Sequence, residues 1–344
     1  MSNEDIPVDP GKIMQIGTGF WASKVLLAAV KFDLFTLLLT GAKSGAEIKM
    51  AIGWHDRSLY DFLDCLVSFG FLEREGLLET AKYSNAADVD MFLVSGKPAY
   101  VGGILQMCNN RLYGFWGDLE EALQTGMPQN ESKNSDKSLF DAIYADEKIL
   151  EKFLAAMGSV QMGNFATLGN KFDFSNHKRL CDMGGAGGFL SILVSQSNPH
   201  LSCTSFDLPP VLPIANKNIE AMGASDNVTA QAGDFFEDSF PTADVITMGN
   251  ILHDWSEAEK VMLMQKAYDA LPDGGVFIAI ENVIDSDRRQ NAFGLLMSLN
   301  MLIETTEGFD YSATDFEGWA KEVGFKSIKF MPLAGPSSAA IAYK

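Results

Sequence analysis

Positive charge is scarce in this chain. It has 26 Lys and Arg against 45 Asp and Glu, which gives a formal net charge of −19. Nucleic acids and anionic membrane surfaces bind proteins through basic patches, because Lys and Arg neutralise their phosphates. The composition therefore predicts that neither nucleic acid nor a membrane is a partner of this protein.

Cysteine and long apolar runs are scarce too. The four cysteines are scattered, and none has the spacing of a metal site. No uninterrupted apolar run approaches the roughly 18 residues of a membrane span. Residues 1–10 contain three acids and no basic residue, which is unlike a signal peptide. We therefore expect a cytoplasmic protein with no metal cofactor.

The chain is long and apolar enough for two domains. Hydrophobic residues make up 47% of its 344 residues, which suits more than one core. Apolar residues recur at helical spacing in the first hundred residues, most clearly over Gly45–Ile52 and Leu59–Val67. Phe71–Arg74 and Leu77–Thr80 are predicted to be the strands of a hairpin. Helices followed by a hairpin predict a winged helix.

A winged helix commonly binds DNA, but the charge of this one argues against that function. Residues 1–100 contain nine Lys and Arg and thirteen Asp and Glu. The helix around residues 56–69 contains three aspartates and only one basic residue, Arg57. A recognition helix presents basic and amide side chains instead. We therefore interpret residues 1–105 as a dimerisation domain.

Residues 106–174 are predicted to form a helical connector. Its polar stretch Asn130–Lys137 is predicted to be a loop. Four apolar residues are spaced to line one face of a helix: Phe153, Met157, Val160 and Phe165. Methionine is a flexible apolar side chain that fills cores and also suits a flat hydrophobic ligand. We expect the connector to contribute to a substrate pocket, with core packing as the alternative.

From residue 175 to residue 344 the pattern alternates between strand and helix, which predicts a parallel α/β sheet. Asp207, Asp234, His253 and Glu281 stand at or just after the ends of predicted strands. Ligands of such sheets bind at the carboxyl ends of the strands, so we expect the functional site at this edge. The predicted strands are Arg179–Met183, Leu201–Phe206, Val228–Ala232, Asp244–Met248 and Val276–Ile280.

The glycine-dense loop 184–188 does not match a dinucleotide fingerprint. The pattern Gly-x-Gly-x-x-Gly counted from Gly185 requires a glycine where the chain has Leu190. Asp207 lies 23 residues after Gly184, close to the roughly 20-residue spacing at which an acid reaches a ribose hydroxyl pair. These residues predict a nucleoside ligand. A structural turn and an ordinary loop aspartate are the alternatives.

His253 is the candidate general base. It stands just past a predicted strand, in the motif Leu-His-Asp-Trp. Glu281 at the end of the neighbouring strand would favour the imidazolium and raise the pKa of His253. A structural histidine is the alternative. The other histidines lie in polar, loop-like settings and are expected to be inert: His55, His177 and His200.

Four short motifs occur in order along the second half of the chain. They are Asp182–Gly188 (DMGGAGG), Phe206–Pro209 (FDLP), Gly233–Phe236 (GDFF) and His253–Trp255 (HDW). Together they resemble the S-adenosylmethionine (SAM)-dependent small-molecule O-methyltransferases, the group of the plant caffeic acid, acetylserotonin and bacterial polyketide enzymes. The resemblance covers essentially the whole chain. It implies an α/β fold with a C-terminal Rossmann-like class I methyltransferase sheet and an N-terminal, mostly helical winged-helix domain that forms a homodimer.

The resemblance also implies a reaction, the transfer of methyl from SAM to a hydroxyl of a small aromatic acceptor, with S-adenosylhomocysteine as product. His253 would be the general base, and Glu281 would orient it. The second orienting carboxylate of the family falls on Asp310, with Glu304 and Glu307 as alternatives. The implied cofactor-binding residues are Asp182, Gly184, Asp207, Leu208, Asp234, Phe235, Gly249 and Trp255. The implied substrate-binding residues are Met157, Asn250 and Met301.

Two residues depart from the family pattern. Ala186 replaces a glycine of the loop, a change that costs little if Ala186 has a negative φ. Gly249 stands where the plant enzymes have a lysine, which favours the bacterial branch. The alternatives to O-methylation are N- or C-methylation, another reaction on the same cofactor fold, and a non-catalytic ligand-binding dimer. The identity of the acceptor stays open.

Overall fold

The computed structural model describes residues 8–133 and 143–344. The chain divides into two compact units, Met1–Tyr113 and Gly114–Lys344. The division into three parts at residues 105 and 174 stays a prediction.

The first unit is mostly helical, with a small antiparallel sheet in the order β1-β3-β2. Its strands are β1 (Lys43–Ser44), β2 (Leu72–Glu75) and β3 (Lys82–Asn85). Its helices are Gly11–Gly17, Gly19–Lys31, Leu34–Leu37, Gly45–Ile52, Leu59–Ser68, Ala87–Phe92 and Gly102–Met107. Helices followed by a hairpin are the arrangement that the sequence predicts.

Two helices of this unit follow directly from local sequence. Gly45–Ile52 begins with a capping box, in which Ser44 and Glu47 each bind the other's backbone N–H. It ends at Gly53, whose φ of 82° lies in the left-handed region. The helix Leu59–Ser68 buries three residues of the predicted stripe, Leu59, Leu63 and Leu66. Both predictions are confirmed.

The second strand of the hairpin lies further along the chain than predicted. Leu78–Thr80 is a 3₁₀ turn, and the strand that pairs with β2 is Lys82–Asn85. Tyr83 explains the difference, because its side chain is fully buried and its hydroxyl donates to Asp64 at 2.8 Å. Leu77 is 59% exposed, so the apolar residues that suggested a strand belong to the turn.

The N-terminal segment Gly11–Lys31 is apolar and exposed. It is the one described segment that is long and apolar enough to cross a membrane by length and composition, and 17% of its most apolar stretch is buried. Lys12 and Lys24 interrupt it, and its helices break at Thr18. Its exposed apolar side chains include Ile13, Met14, Ile16, Phe20 and Trp21.

The second unit contains a seven-stranded sheet in the order β6-β5-β4-β7-β8-β10-β9. Its strands are β4 (Arg179–Met183), β5 (Ser202–Asp207), β6 (Val228–Ala232), β7 (Val245–Gly249), β8 (Val276–Glu281), β9 (Ser327–Pro332) and β10 (Ser338–Tyr343). Strands β4 to β8 are parallel, and β10 runs antiparallel to both of its neighbours. The five predicted strands are all present, to within one residue at each end. The predicted α/β fold class is therefore confirmed.

Helices cover both faces of this sheet. They are Leu119–Thr125, Glu147–Lys171, Phe189–Ser197, Leu212–Ala221, Glu257–Ala270, Ala292–Glu304 and Ala313–Val323. Alternate residues of the central strands pack into two separate cores. In β4, Cys181 and Met183 enter one core, and Leu180 enters the other. Strands buried on both faces read as continuous apolar runs, which is why the sequence located them well.

The long helix Glu147–Lys171 is present, but the apolar stripe predicted for it is wrong in part. Phe165 is buried, whereas Val160 is 46% exposed. The buried apolar side chains of this helix include Leu150 and Leu154 instead. Of the loop predicted over Asn130–Lys137, residues 131–133 form a turn and residues 134–137 lie outside the described residues.

The order of the strands places the candidate site. β4 lies between β5 and β7, so the chain leaves β4 to one side of the sheet and later returns to the other. At such a switch point the loops after neighbouring strands diverge and leave a crevice outside their carboxyl ends. The glycine loop follows β4, and Asp207 ends β5.

Candidate active site

The glycine loop after β4 folds tightly against β5. The backbone N–H groups of Gly184 and Gly185 both donate to the carbonyl of Phe206, at 2.9 and 3.1 Å. A β-carbon on Gly185 would lie 2.2 Å from the hydroxyl oxygen of Ser205. Gly184 has a φ of 70°, and a β-carbon there would lie 2.3 Å from the side chain of Ile251. The loop therefore requires glycine at both positions.

Ala186 does not meet the condition under which its replacement of glycine would cost little. Its φ is 49°, in the left-handed region that disfavours a residue with a β-carbon. The backbone N–H of Ala186 donates to the carboxylate of Asp207 at 2.8 Å. This bond holds the loop in the strained conformation. The alanine therefore has an energetic cost that the sequence analysis did not predict.

Asp207 presents an oriented carboxylate at the end of β5. It accepts the backbone N–H of Ala186 and that of Leu208, at 2.8 and 2.7 Å, and the hydroxyl of Tyr144. Burial raises the pKa of Asp207 to about 6, although these three hydrogen bonds favour the ionised form. Tyr144 lies in the connector, far from Asp207 in sequence, and the sequence analysis did not identify it.

Asp182 is a second buried carboxylate of the crevice. It lies in β4, and one of its oxygens accepts the hydroxyl of Thr247 in β7 at 2.7 Å. Burial raises the pKa of Asp182 to about 7, and the nearby charge of Asp207 acts in the same direction. Two acids with raised pKa values at a ligand-binding edge are typical of a functional site.

An aromatic wall borders the glycine loop. The ring of Trp255 contacts those of Phe235 and Phe236 edge-on, with centroids 6.0 and 4.6 Å away. Asp234 orders the turn that carries both phenylalanines, because its carboxylate accepts the backbone N–H of Phe236 at 2.8 Å. A β-carbon on Gly184 would lie 3.7 Å from the Phe235 ring. A flat apolar group could stack in this region.

Gly249 ends β7 close to the long helix. A β-carbon on Gly249 would lie 3.3 Å from the ring of Phe165, so a larger residue would displace that ring. The next residue, Asn250, has a φ of 53°, and its backbone N–H donates to the carbonyl of Ile280. This turn leads directly into the segment that carries His253.

His253 lies in the 3₁₀ turn Leu252–Asp254 and is 5% exposed. Its Nδ1 is 3.5 Å from a carboxylate oxygen of Glu281 and 3.4 Å from one of Asp310. Its Nε2 is 3.6 Å from the carboxylate of Asp254. We call His253, Glu281, Asp310 and Asp254 the base cluster.

Charge dominates the base cluster. Burial lowers the pKa of His253, but Glu281, Asp254 and Asp310 outweigh it and raise that pKa to about 10. The direction is the one that the sequence predicts. Burial also raises the pKa of Glu281 above its usual range and that of Asp254 to about 6. The titrations of His253, Glu281 and Asp254 are therefore coupled to one another.

The structure places Asp310, one of the three candidates for the second carboxylate, beside His253, and its orienting role stays a prediction. Asp310 is buried, and its carboxylate faces Nδ1 of His253. The segment of Glu304 is tied to the connector instead, since the side chain of Asn130 donates to the Glu304 carbonyl at 2.6 Å. The pairing of His253 with Asp310 joins residues 57 positions apart, which local sequence does not reveal.

The substrate residues implied by the resemblance lie in three different segments. Met157 is half-buried on the helix Glu147–Lys171, Asn250 is half-buried just after β7, and Met301 is buried on the helix Ala292–Glu304. Their contacts with an acceptor stay a prediction.

The donors of the base cluster also have the spacing of a cation site. One atom from each of His253, Glu281 and Asp310 lies within 4.8 Å of the others. The sequence analysis found no such set, because the three residues are far apart in the chain. The absence of a metal cofactor stays a prediction.

Comparison with known proteins gives consistent matches along the chain. The O-methyltransferase domain model matches residues 116–326, and the O-methyltransferase dimerisation domain model matches residues 14–95. The tetracenomycin polyketide synthesis 8-O-methyl transferase TcmO of Streptomyces glaucescens is 36% identical over 335 residues, which cover 97% of each chain. The 3-hydroxy-5-methyl-1-naphthoate 3-O-methyltransferase of Streptomyces sahachiroi is 30% identical and covers 96% of this chain and 93% of its own.

A solved structure agrees with these relatives. The crystal structure of human N-acetylserotonin methyltransferase in complex with SAM superposes with a TM-score of 0.90 at 28% identity. The match covers 100% of this chain and 99% of that one.

Proposed function

The chain belongs to the O-methyltransferase family, and we propose that His253 is the general base with which it methylates a hydroxyl of a small aromatic acceptor. The protein is a SAM-dependent methyltransferase. One observation carries the role of His253. Its imidazole lies at the carboxyl edge of the sheet, and one ring nitrogen faces two buried carboxylates.

The residues of the crevice fit SAM. Four of the five residues of the loop 184–188 are glycine, and Gly185 packs closely against Ser205, so the loop backbone could approach a bound ligand closely. Asp207 is an acceptor aligned by three donors, which suits a pair of ribose hydroxyls, and Leu208 fixes one of its oxygens. Asp182 supplies a carboxylate for the ammonium group of the methionine part. SAM, when bound, supplies an electrophilic methyl group.

The remaining proposed contacts concern the adenine and the acceptor. Phe235 and Trp255 would border the adenine, with Asp234 and Gly249 at its edges. Apolar Met157 and Met301, with Asn250, would confine the acceptor. A hydroxylated aromatic fits this set, and the acceptor in the printed name of the naphthoate relative belongs to the same chemical class.

The base cluster would remove the hydroxyl proton as the new bond forms. Nδ1 of His253 faces Glu281 and Asp310, so Nε2 is the atom that would accept the proton. A phenol has a pKa of about 10, close to that of His253, so proton transfer to the neutral imidazole needs little free energy. Glu281, Asp254 and Asp310 then stabilise the imidazolium that forms.

The test is His253→Gln, assayed with methyl-tritiated SAM and 3-hydroxy-5-methyl-1-naphthoate or N-acetylserotonin as acceptor. Loss of a general base lowers turnover by about 10²–10⁴, while SAM binding measured by calorimetry should persist. His177→Gln is the matched control, since His177 precedes β4 at the opposite end of the sheet. Near-normal turnover of His253→Gln would exclude the proposed base.

We further propose a cytoplasmic homodimer that assembles through the N-terminal unit. The exposed apolar side chains of Gly11–Lys31 would be covered by the partner rather than by lipid, and this segment overlaps the match to the dimerisation domain. Trp21→Glu should yield monomers in light scattering, whereas Leu123→Glu, at an exposed apolar residue of the second unit, should leave the dimer intact. A wild-type monomer, or wild-type protein retained in the membrane fraction, would contradict this proposal.

A further inference from the structure

Lys260 is a buried cation that the mechanism above does not use. It lies on the helix Glu257–Ala270, and its residue is 0% exposed. Burying an ammonium group costs free energy unless it is paired and hydrogen-bonded. Local sequence gives no reason for the burial, because lysine normally keeps its charge in water. Its contacts therefore indicate what it does.

The ammonium group of Lys260 joins two segments of the active site. It donates a hydrogen bond to the carbonyl of Trp255, which directly follows Asp254. It also lies 3.6 Å from the centroid of the Phe309 ring, which directly precedes Asp310. One cation therefore contacts both the turn that carries His253 and the loop that carries its second carboxylate.

These two segments already pack closely at Gly308. A β-carbon on Gly308 would lie 2.6 Å from the carbonyl oxygen of His253 and 2.7 Å from that of Asp254. The loop can approach the turn only because this residue is glycine. Lys260 adds an electrostatic interaction between the same two segments.

The charges around Lys260 are those of the base cluster. Glu281, Asp310 and Asp254 all act on its ammonium group, and Glu259 of its own helix acts more weakly. Without Lys260, three buried carboxylates would be balanced by one imidazole. Burial lowers the pKa of Lys260 to about 8, and these acids oppose that change. Tyr311, also buried beside Glu281 and Asp310, adds no positive charge.

We propose that Lys260 is a positioning residue for methyl transfer, which holds the His253 turn to the Asp310 loop and balances the negative charge of the base cluster. This proposal rests on the proposed role of His253. Removing the positive charge makes the cluster bind protons more tightly, because each carboxylate loses a favourable partner. The protonation steps of His253, Glu281 and Asp254 then move to higher pH.

The test is Lys260→Met, which keeps the apolar stem and removes the charge. The chain has only four histidines, so ¹³C labelling of the histidine Cε1 atoms gives few NMR signals, and His253→Gln assigns the signal of interest. This signal reports the protonation steps of its carboxylate neighbours without any acceptor. Loss of the Lys260 charge should raise the lower of the pH midpoints of the His253 signal by about one pH unit.

Lys266→Met is the matched control. Lys266 lies on the same helix and also binds backbone carbonyls, those of Phe235 and Phe236, at 2.6 and 2.7 Å. Lys266 therefore stabilises the aromatic wall and does not contact the base cluster. Lys266→Met should weaken SAM binding and leave the pH midpoint of the His253 signal unchanged. Lys260→Met should shift that midpoint and leave SAM binding unchanged. Lys260→Gln repeats the test if the methionine variant does not fold.

The outcomes separate this proposal from the proposed function. Equal His253 midpoints in wild type and both Lys260 variants would overturn the role of Lys260, even if His253→Gln is inactive. A normal turnover of His253→Gln would overturn the proposed base, whatever Lys260 does. With 3-hydroxy-5-methyl-1-naphthoate as acceptor, the acidic limb of the kcat profile should move to higher pH by the same amount in Lys260→Met.

Discussion

The contact between the glycine loop and β5 allows a sharp test of why the loop requires glycine at position 185. In Gly185→Ala the added β-carbon would lie 2.2 Å from the Ser205 hydroxyl oxygen and 3.2 Å from the carbonyl oxygen of Asp182. A β-carbon does not fit at 2.2 Å, so β5 or the loop must move. Overpacking of this kind costs about 1–3 kcal/mol, and the moved loop should bind SAM more weakly.

Ser205→Ala provides the matched partner for a double-mutant cycle. Ser205 is 1% exposed, and its hydroxyl has no hydrogen-bond partner among residues 8–133 and 143–344. Its removal alone should therefore change stability by less than about 0.5 kcal/mol. In Gly185→Ala/Ser205→Ala the nearest remaining contact is the β-carbon of Ser205, 3.1 Å away. Most of the destabilisation should disappear.

The cycle is measured by denaturant unfolding and by SAM calorimetry on all four proteins. We expect a favourable coupling free energy of about 1–2 kcal/mol, which is typical of residues in direct contact. SAM affinity should recover in parallel. Additive effects of the two substitutions would refute the steric explanation for Gly185.

Three further predictions concern the same edge of the sheet. Ala186→Gly should raise the free energy of unfolding by up to about 1 kcal/mol, because release of the left-handed strain outweighs the added freedom of the unfolded chain; a lower denaturant midpoint would contradict this. SAM affinity should fall as the pH drops through about 7 and then about 6, because Asp182 and then Asp207 become protonated; calorimetry between pH 5 and 8 measures this, and Asp207→Asn should bind weakly and keep only the step near pH 7. Exhaustive dialysis against a chelator should leave methyl transfer unchanged, and activity that returns only with added cations would assign a metal to His253, Glu281 and Asp310.

The five parallel strands of the second unit and the acids at their ends could be predicted because they depend on local pattern, whereas β9 and β10 were not predicted. Arg179–Met183 and Val228–Ala232 are correct to the residue. Since all carboxyl ends of parallel strands lie at one edge, Asp207, His253 and Glu281 could be assigned to one site before the sheet order was known.

Two other local features could not be predicted because packing overrode local preference. The strand expected at Leu77–Thr80 is a turn, since the buried Tyr83 draws the next segment into the sheet. Ala186 has a positive φ because a hydrogen bond to Asp207 outweighs its backbone preference. Neither contact leaves a signature in the adjacent residues.

The sequence by itself determined the fold class, the ligand edge and the candidate base, because apolar periodicity and the motifs at strand ends are local properties. Only the tertiary structure decided which groups surround the base. It placed Asp310 rather than Glu304 against His253, brought Tyr144 to Asp207, and buried Lys260 among the carboxylates. These contacts join distant segments, so they depend on the order of the strands and on the paths of the loops that follow them.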